Sequence, residues 1–80
     1  MNERIIIDPS IRHGKPVIRR TRVPVHRIIG SLAGGVTPEE VCEEYGIIDA
    51  DVRAALEYAE ELVEAEEANY ARTLSGNYLP

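Results

Sequence analysis

The stretch TPEEVCEEYG at residues 37–46 decides the fold class of this 80-residue chain. Thr37 can cap a helix, Pro38 suits the first helical position, and Glu40 can return a hydrogen bond to the cap in a reciprocal capping box. Gly46 can adopt the left-handed conformation that commonly ends a helix. The stretch therefore predicts a short helix that begins at Pro38 and ends before Gly46.

Apolar residues at helical spacing continue on both sides of this stretch. A first helix is predicted from Val25 to the Gly34-Gly35 pair that stops it, with Pro24 at its start. Asp49 is predicted to cap a third, longer helix. The expected inward stripe of that helix is Val52, Ala55, Leu56, Ala59 and Leu62 or Val63.

A short turn containing Gly46, Ile47 and Ile48 joins the second and third helices. Two helices joined in this way are typical of a helix-turn-helix unit. We therefore predict a mainly α fold with a homeodomain-like three-helix core over residues 25–63. Residues 64–80 form an acidic tail with a few apolar groups, and its helix is expected to continue to Ser75-Gly76.

The N-terminal residues 1–24 are predicted to form a short β-hairpin. A β-branched run ends at Asp8-Pro9, and a second extended segment, Pro16–Arg19, follows the turn residues His13-Gly14. An isolated two-stranded hairpin is barely stable in water. The hairpin must therefore lie on the helices or pair with a second copy of the chain, and the second alternative predicts a homodimer.

Charge is divided unequally along the chain, whose net charge is −5. Residues 1–36 carry seven Lys and Arg against two acidic residues, a net charge of +5, whereas residues 37–80 carry two Arg against twelve acidic residues, a net charge of −10. The two halves are therefore expected to serve different partners.

The cellular compartment and the need for a cofactor are predicted from two features: the sequence has a single cysteine and no long apolar run. Cys42 is the lone cysteine, so an internal disulfide and a structural zinc site are not expected, and a reducing cytoplasmic location is predicted. The run Ile5–Ile7 is too short for a signal peptide or a membrane span. We expect no membrane association and no cofactor.

Enzyme activity is not expected, because no nucleophile stands at a spacing that would place it beside a base. His13 is interpreted as a turn residue, His26 as a half-exposed polar residue in the opening turn of the first helix, and Cys42 as a small buried apolar group. No residue is assigned a catalytic or metal-binding role.

Duplex DNA is a candidate ligand of the basic N-terminal half. The third helix begins Asp49-Ala50-Asp51, and two acids at a groove-facing end would repel phosphates. The predicted DNA-binding residues lie instead in the basic segment: Lys15, Arg19, Arg20, Arg22 and Arg27. The alternative is that these cations neutralise the acidic third helix, within the chain or across a dimer.

The tail combines apolar anchors with one guanidinium, a pattern that favours binding to a protein partner. The predicted partner-binding residues are Tyr70, Arg72, Leu74 and Tyr78. The alternative is a frayed terminus without a role.

The chain carries a series of short motifs: Ile7–Pro9, Gly14–Arg19, Thr21–Val25, Gly35–Val41, Tyr45 and Asp51–Ala59. Together these motifs, from about Ile5 to Ala59, resemble the bacterial family known as domain of unknown function 433. The resemblance implies a trihelical domain with an N-terminal β extension, similar in several members to VapB-type antitoxins encoded beside PIN-like nuclease toxins. The family usually has Gly before the Thr-Arg pair; Arg20 stands there in this chain, which predicts an altered turn.

Together these patterns favour an antitoxin-like, non-enzymatic protein. Its basic half would bind operator DNA as a dimer, and its acidic half would dock on a protein partner, which the resemblance implies to be a PIN-like nuclease toxin. The alternative is a structural or protein-interaction domain that does not contact DNA.

Overall fold

A computed structural model describes the backbone of residues 2–78 and the side chains of residues 2–69. The strands and α-helices are β1 (Ile5–Ile6), β2 (Val17–Ile18), α1 (Val25–Ala33), α2 (Pro38–Tyr45) and α3 (Asp49–Tyr78), and a short 3-10 turn at Arg12–Gly14 lies between the strands. The predicted mainly α architecture with three helices and an N-terminal hairpin is confirmed. The helix of the tail runs three residues beyond Ser75 rather than ending there.

Local sequence signals set the ends of α1 and α2. Val25 and Ile28 are the buried residues of α1, which ends at Gly34. At the start of α2, the backbone N–H of Glu40 donates to Thr37 Oγ1 at 3.2 Å, and the Thr37 hydroxyl donates to Glu40 Oε1 at 2.9 Å. The cap is thus reciprocal, although the glutamate accepts from the hydroxyl instead of the backbone. Gly46 ends the helix at a φ of 66°.

The residue that caps α3 differs from the prediction, which assigned the cap to Asp49. Asp49 is the first helical residue, and the backbone N–H of Ile48 donates to Asp51 Oδ2 at 3.2 Å. An acidic residue at the third helical position can reach back to a free N–H in the same way as the glutamate of a capping box. The other oxygen of Asp51 accepts from Arg4 Nη1 at 3.1 Å. Asp51 therefore caps α3 and ties it to the hairpin.

The hairpin lies on the helices, as the first of the two alternatives requires. The strands are antiparallel, with Ile5 opposite Ile18 and Ile6 opposite Val17. Ile5 and Ile18 are buried in the core together with residues of all three helices. This packing removes the need for a second chain to stabilise the strands.

The buried face of α3 is rotated relative to the predicted stripe. Val52 and Ala55 are buried as predicted, but Leu56 is 47% exposed and Ala54 is buried instead. The physical reason is that three elements pack against α3: α1, α2 and β1. Ile5 of β1 and Ala54 belong to the same buried core, so the buried face of α3 extends toward Ala54. Leu62 and Val63, at the end of the predicted stripe, are also more than half exposed.

The turn after β2 was predicted to be altered because Arg20 stands where the family usually has glycine. The residue at this position nevertheless has the left-handed backbone conformation. Arg20 has a φ of 66°. The turn is held because the Thr21 hydroxyl donates to the Ile18 carbonyl at 2.7 Å and accepts from the Val23 N–H at 3.0 Å. Surrounding hydrogen bonds thus impose a conformation that a non-glycine residue adopts at a cost.

Arg20→Gly is expected to stabilise the protein by about 0.5 kcal/mol, because glycine relieves the left-handed strain but adds entropy to the unfolded chain. Urea unfolding followed by circular dichroism measures the change. Arg22→Gly is the matched control, since it removes the same charge in the same loop where φ is not positive; it should destabilise by roughly 0.5–1 kcal/mol. Equal effects of the two substitutions would contradict the strain at Arg20.

Candidate nucleic-acid interface

The five predicted DNA-binding residues are all exposed in the structure. Lys15 precedes β2, Arg19 follows it, Arg20 and Arg22 lie in the loop to α1, and Arg27 lies in the first turn of α1. They therefore occupy one continuous segment around the hairpin and the start of α1.

Two of these five residues come together in a cleft that the sequence did not predict. The cleft has a volume of about 190 Å³, and we call it the basic cleft. Its lining residues are Arg12, His13, Lys15, Pro24, His26 and Arg27. Arg19 lies apart from it, in a shallow depression with Glu3 and Arg4.

A left-handed turn shapes one wall of the basic cleft. Arg12, His13 and Gly14 have φ values of 50°, 57° and 82°. Arg12 Nε donates to the Arg22 carbonyl at 3.1 Å, which links this turn to the loop before α1. The backbone N–H of Lys15 donates to the Arg12 carbonyl at 3.1 Å and closes the turn.

The entry to this turn is fixed by Asp8. Its carboxylate accepts from the backbone N–H and the hydroxyl of Ser10, at 2.9 and 2.8 Å. These hydrogen bonds, the backbone one foremost, hold the pKa of Asp8 below its ordinary value. Asp8 is thereby engaged with its own turn and does not line the basic cleft.

The sequence interpretation assigned His13 and His26 no functional role, yet both line the cleft. The only sequence signal at this position is the turn chemistry of His13-Gly14. That signal cannot show that the turn faces the start of α1, because the two segments are brought together by backbone contacts outside the turn itself. One such contact is the hydrogen bond from the Val25 N–H to the Pro16 carbonyl, at 3.0 Å.

Ion pairing within the chain leaves the predicted DNA-binding residues free of acidic partners. Among residues 2–69, the ion pairs join Arg4 to Asp51 at 3.1 Å and Arg53 to Asp49 at 2.9 Å. None of the five predicted residues takes part. Direct ion pairs between these five cations and α3 are therefore absent among the described residues. The alternative that the cations neutralise α3, within the chain or across a dimer, stays a prediction.

The first turns of α3 are poorly suited to read bases. Asp49 and Asp51 lie in the first turn, and the nearby Arg53 is paired to Asp49. A recognition helix normally directs free Arg, Lys, Asn or Gln to base edges. This end of α3 instead has a structural role through the Asp51 cap.

Among residues 2–69, no cluster of three or more His, Cys, Asp or Glu side chains is suited to a metal ion. Desolvation by the surrounding protein, followed by the negative charges of Asp49, Asp51 and Glu39, raises the pKa of the Cys42 thiol. A nucleophilic cysteine needs the opposite shift. No helix in the described part of the chain is long and apolar enough to cross a bilayer.

A second surface feature is an apolar groove of about 370 Å³ between α1 and α3. Ile29 of α1 and Tyr58 and Leu62 of α3 are among its lining residues. The exposed Val63 lies next to it in sequence, just before the tail. The side chains of the predicted partner-binding residues Tyr70, Arg72, Leu74 and Tyr78 lie outside the described residues, so those assignments stay predictions.

Similar proteins were found at the level of sequence. A family model described as a protein of unknown function, DUF433, matches residues 5–59. The uncharacterized protein y4eO of Sinorhizobium fredii is 41% identical over 59 residues, which make up 72% of this chain and 27% of that protein.

Two crystal structures resemble this fold. Rv2018 from Mycobacterium tuberculosis matches with a TM-score of 0.60 and 33% identity, over 65% of this chain and 24% of that one. A DUF433 member protein from Anabaena variabilis matches with a TM-score of 0.71 and 30% identity, over 85% of this chain and 68% of that one. The chain thus spans about a quarter of y4eO and of Rv2018.

Proposed function

Because this chain belongs to the DUF433 family of proteins of unknown function, we propose from its own surface that it is an antitoxin-like, non-enzymatic protein that binds duplex operator DNA. The observation that carries the proposal is the set of five exposed cations between Lys15 and Arg27 that lack an acidic partner among residues 2–69. Five exposed cations within one short segment of a protein with a net charge of −5 favour a polyanionic ligand.

The proposed DNA surface is the hairpin, its loop and the start of α1. Phosphate contacts supply most of the affinity of such a surface, because each phosphate that a cation neutralises releases counterions from the duplex. The acidic first turn of α3 is tied to the hairpin through the Arg4–Asp51 ion pair. In this proposal the helix-turn-helix unit supports the basic surface rather than reading bases.

We assign the chain a homodimeric state for this function. The apolar groove and the exposed Leu62 and Val63 provide apolar area on α3 that its own core leaves uncovered. A contiguous exposed apolar surface commonly marks an interface. Two copies joined through α3 would double the number of phosphate contacts.

The acidic half is proposed to dock on a second protein, through α3 and the tail. The family resemblance suggests a PIN-like nuclease toxin as this partner. An arginine such as Arg72 pairs well with clustered carboxylates, which such a nuclease would offer at its metal site.

A structural or protein-interaction domain without DNA contact is the second candidate. The apolar groove favours it, as does the fact that y4eO and Rv2018 are about four times longer than the region they share with this chain. In such a protein the domain would serve to assemble larger chains.

Fluorescence anisotropy with a labelled duplex from upstream of the chain's own gene separates the two candidates. For DNA binding, the logarithm of the association constant falls linearly with the logarithm of the salt concentration, by about 0.9 for each phosphate contact. Light scattering on the same sample measures the oligomeric state. If the protein binds no duplex even at low salt, the second candidate replaces the first.

A further inference from the structure

We propose that the basic cleft is a binding site for a phosphate group. This inference deepens the proposed function and rests on it for one of two phosphate sources, the DNA backbone. The other source is a free phosphorylated molecule. Both present the same chemistry to the cleft: an anion with several strong acceptor oxygens.

The lining of the basic cleft matches that chemistry. Five of its six lining side chains are cationic or carry an imidazole, and none is acidic. Lys15 and Arg27 supply full positive charges, and the imidazoles of His13 and His26 have an N–H donor in either protonation state. Hydrogen bonds from charged donors to phosphate oxygens are among the strongest in proteins.

The guanidinium of Arg12 is oriented by the protein before any ligand arrives. Its Nε is held by the Arg22 carbonyl at 3.1 Å. The two terminal nitrogens of a guanidinium anchored through Nε retain donors in a fixed fork, which suits two oxygens of one phosphate. Pre-orientation lowers the entropy that binding must remove.

Backbone strain gives independent support. Arg12 and His13 are consecutive non-glycine residues with positive φ. Such strain persists only where the surrounding structure imposes it, and it is concentrated at functional sites. Glycine would be less strained at either position. The chain instead has the guanidinium of Arg12 and the imidazole of His13 there, and both residues line the same cleft.

The start of α1 also lines the basic cleft. His26 and Arg27 lie in its first turn, and the residue before the helix, Pro24, makes no side-chain cap. The positive end of the helix dipole therefore adds to the field of the side chains. A volume of about 190 Å³ is small for a complete drug-sized ligand and fits one anionic group with the atoms next to it.

Nuclear magnetic resonance on the full-length, ¹⁵N-labelled chain tests the site with inorganic phosphate as the probe and chloride at equal ionic strength as the reference. We expect amide shifts at residues 12–15, 26 and 27 that saturate with phosphate and not with chloride. Lys15→Gln combined with Arg27→Gln should weaken phosphate binding by on the order of 100-fold, about tenfold for each cation. Arg20→Gln with Arg22→Gln removes the same charge outside the cleft and should change it little.

Shifts that do not saturate, or equal losses in the two double variants, would overturn the site and leave DNA binding by the wider surface intact. Duplex DNA added to the phosphate-bound protein then identifies the source. Displacement of phosphate, together with weaker DNA binding by the Lys15 and Arg27 variant, assigns the DNA backbone. Saturable phosphate binding in a protein that binds no duplex supports a free phosphorylated ligand and contradicts the proposed function alone.

Discussion

Ile28→Ala is expected to lower the free energy of unfolding by about 3 kcal/mol, because the removed atoms lose their burial and leave a cavity in the core. Ile28 is 0% exposed and contributes to the core that joins the helices to the hairpin. Small domains bury a limited fraction of their surface, and total stabilities are typically about 5–15 kcal/mol. The variant should therefore lose a large part of the stability of the whole domain.

Ile48→Ala is the matched control for this substitution. It deletes the same atoms from the same residue type, but Ile48 is 57% exposed. We expect a loss below about 1 kcal/mol, as is usual for surface positions. Urea unfolding of both variants measures the difference, and similar midpoints for the two would show that α1 does not anchor the core as described.

Local signals in the sequence were sufficient to predict that three helices form and where α2 begins and ends. The residues that begin and end α2, Thr37 and Gly46, act through hydrogen bonds and backbone angles that involve only near neighbours. The choice of Ala54 over Leu56 on the buried face of α3 depends on β1, more than 40 residues away in the chain. Helical periodicity does not contain that information, which is why the predicted stripe was rotated.

The sequence indicated two of the residues that line the basic cleft, Lys15 and Arg27, but not the cleft itself. The cations from Lys15 to Arg27 are visible as a charge pattern, and the structure leaves them exposed. The basic cleft depends on left-handed backbone at Arg12, which arginine disfavours, and at His13, where histidine tolerates it better than most residues. The His13-Gly14 pair indicates a turn but not the segment that the turn faces, so the two histidines could not be assigned to the cleft from the sequence.

Replacing Arg19, Arg20 and Arg22 together by alanine is expected to reduce duplex affinity by on the order of 100-fold and to lower the salt slope by about 3. Each of the three is exposed, and none has an acidic partner among residues 2–69, so each is available for one phosphate contact. Anisotropy at several salt concentrations gives both quantities. The three positions lie outside the basic cleft, so a phosphate site there should persist in this variant.

A matched control distinguishes the position of the charges from the net charge. Ala65→Glu, Ala68→Glu and Asn69→Glu also make the chain more negative by three charges, on the exposed distal part of α3. At about 0.1 M salt, exposed charges are screened over about 10 Å, so charges added away from the bound phosphates should leave the salt slope unchanged. Equal losses of affinity in the two triple variants would mean that DNA responds only to the overall charge. A full loss confined to the arginine variant would place the duplex on the hairpin loop.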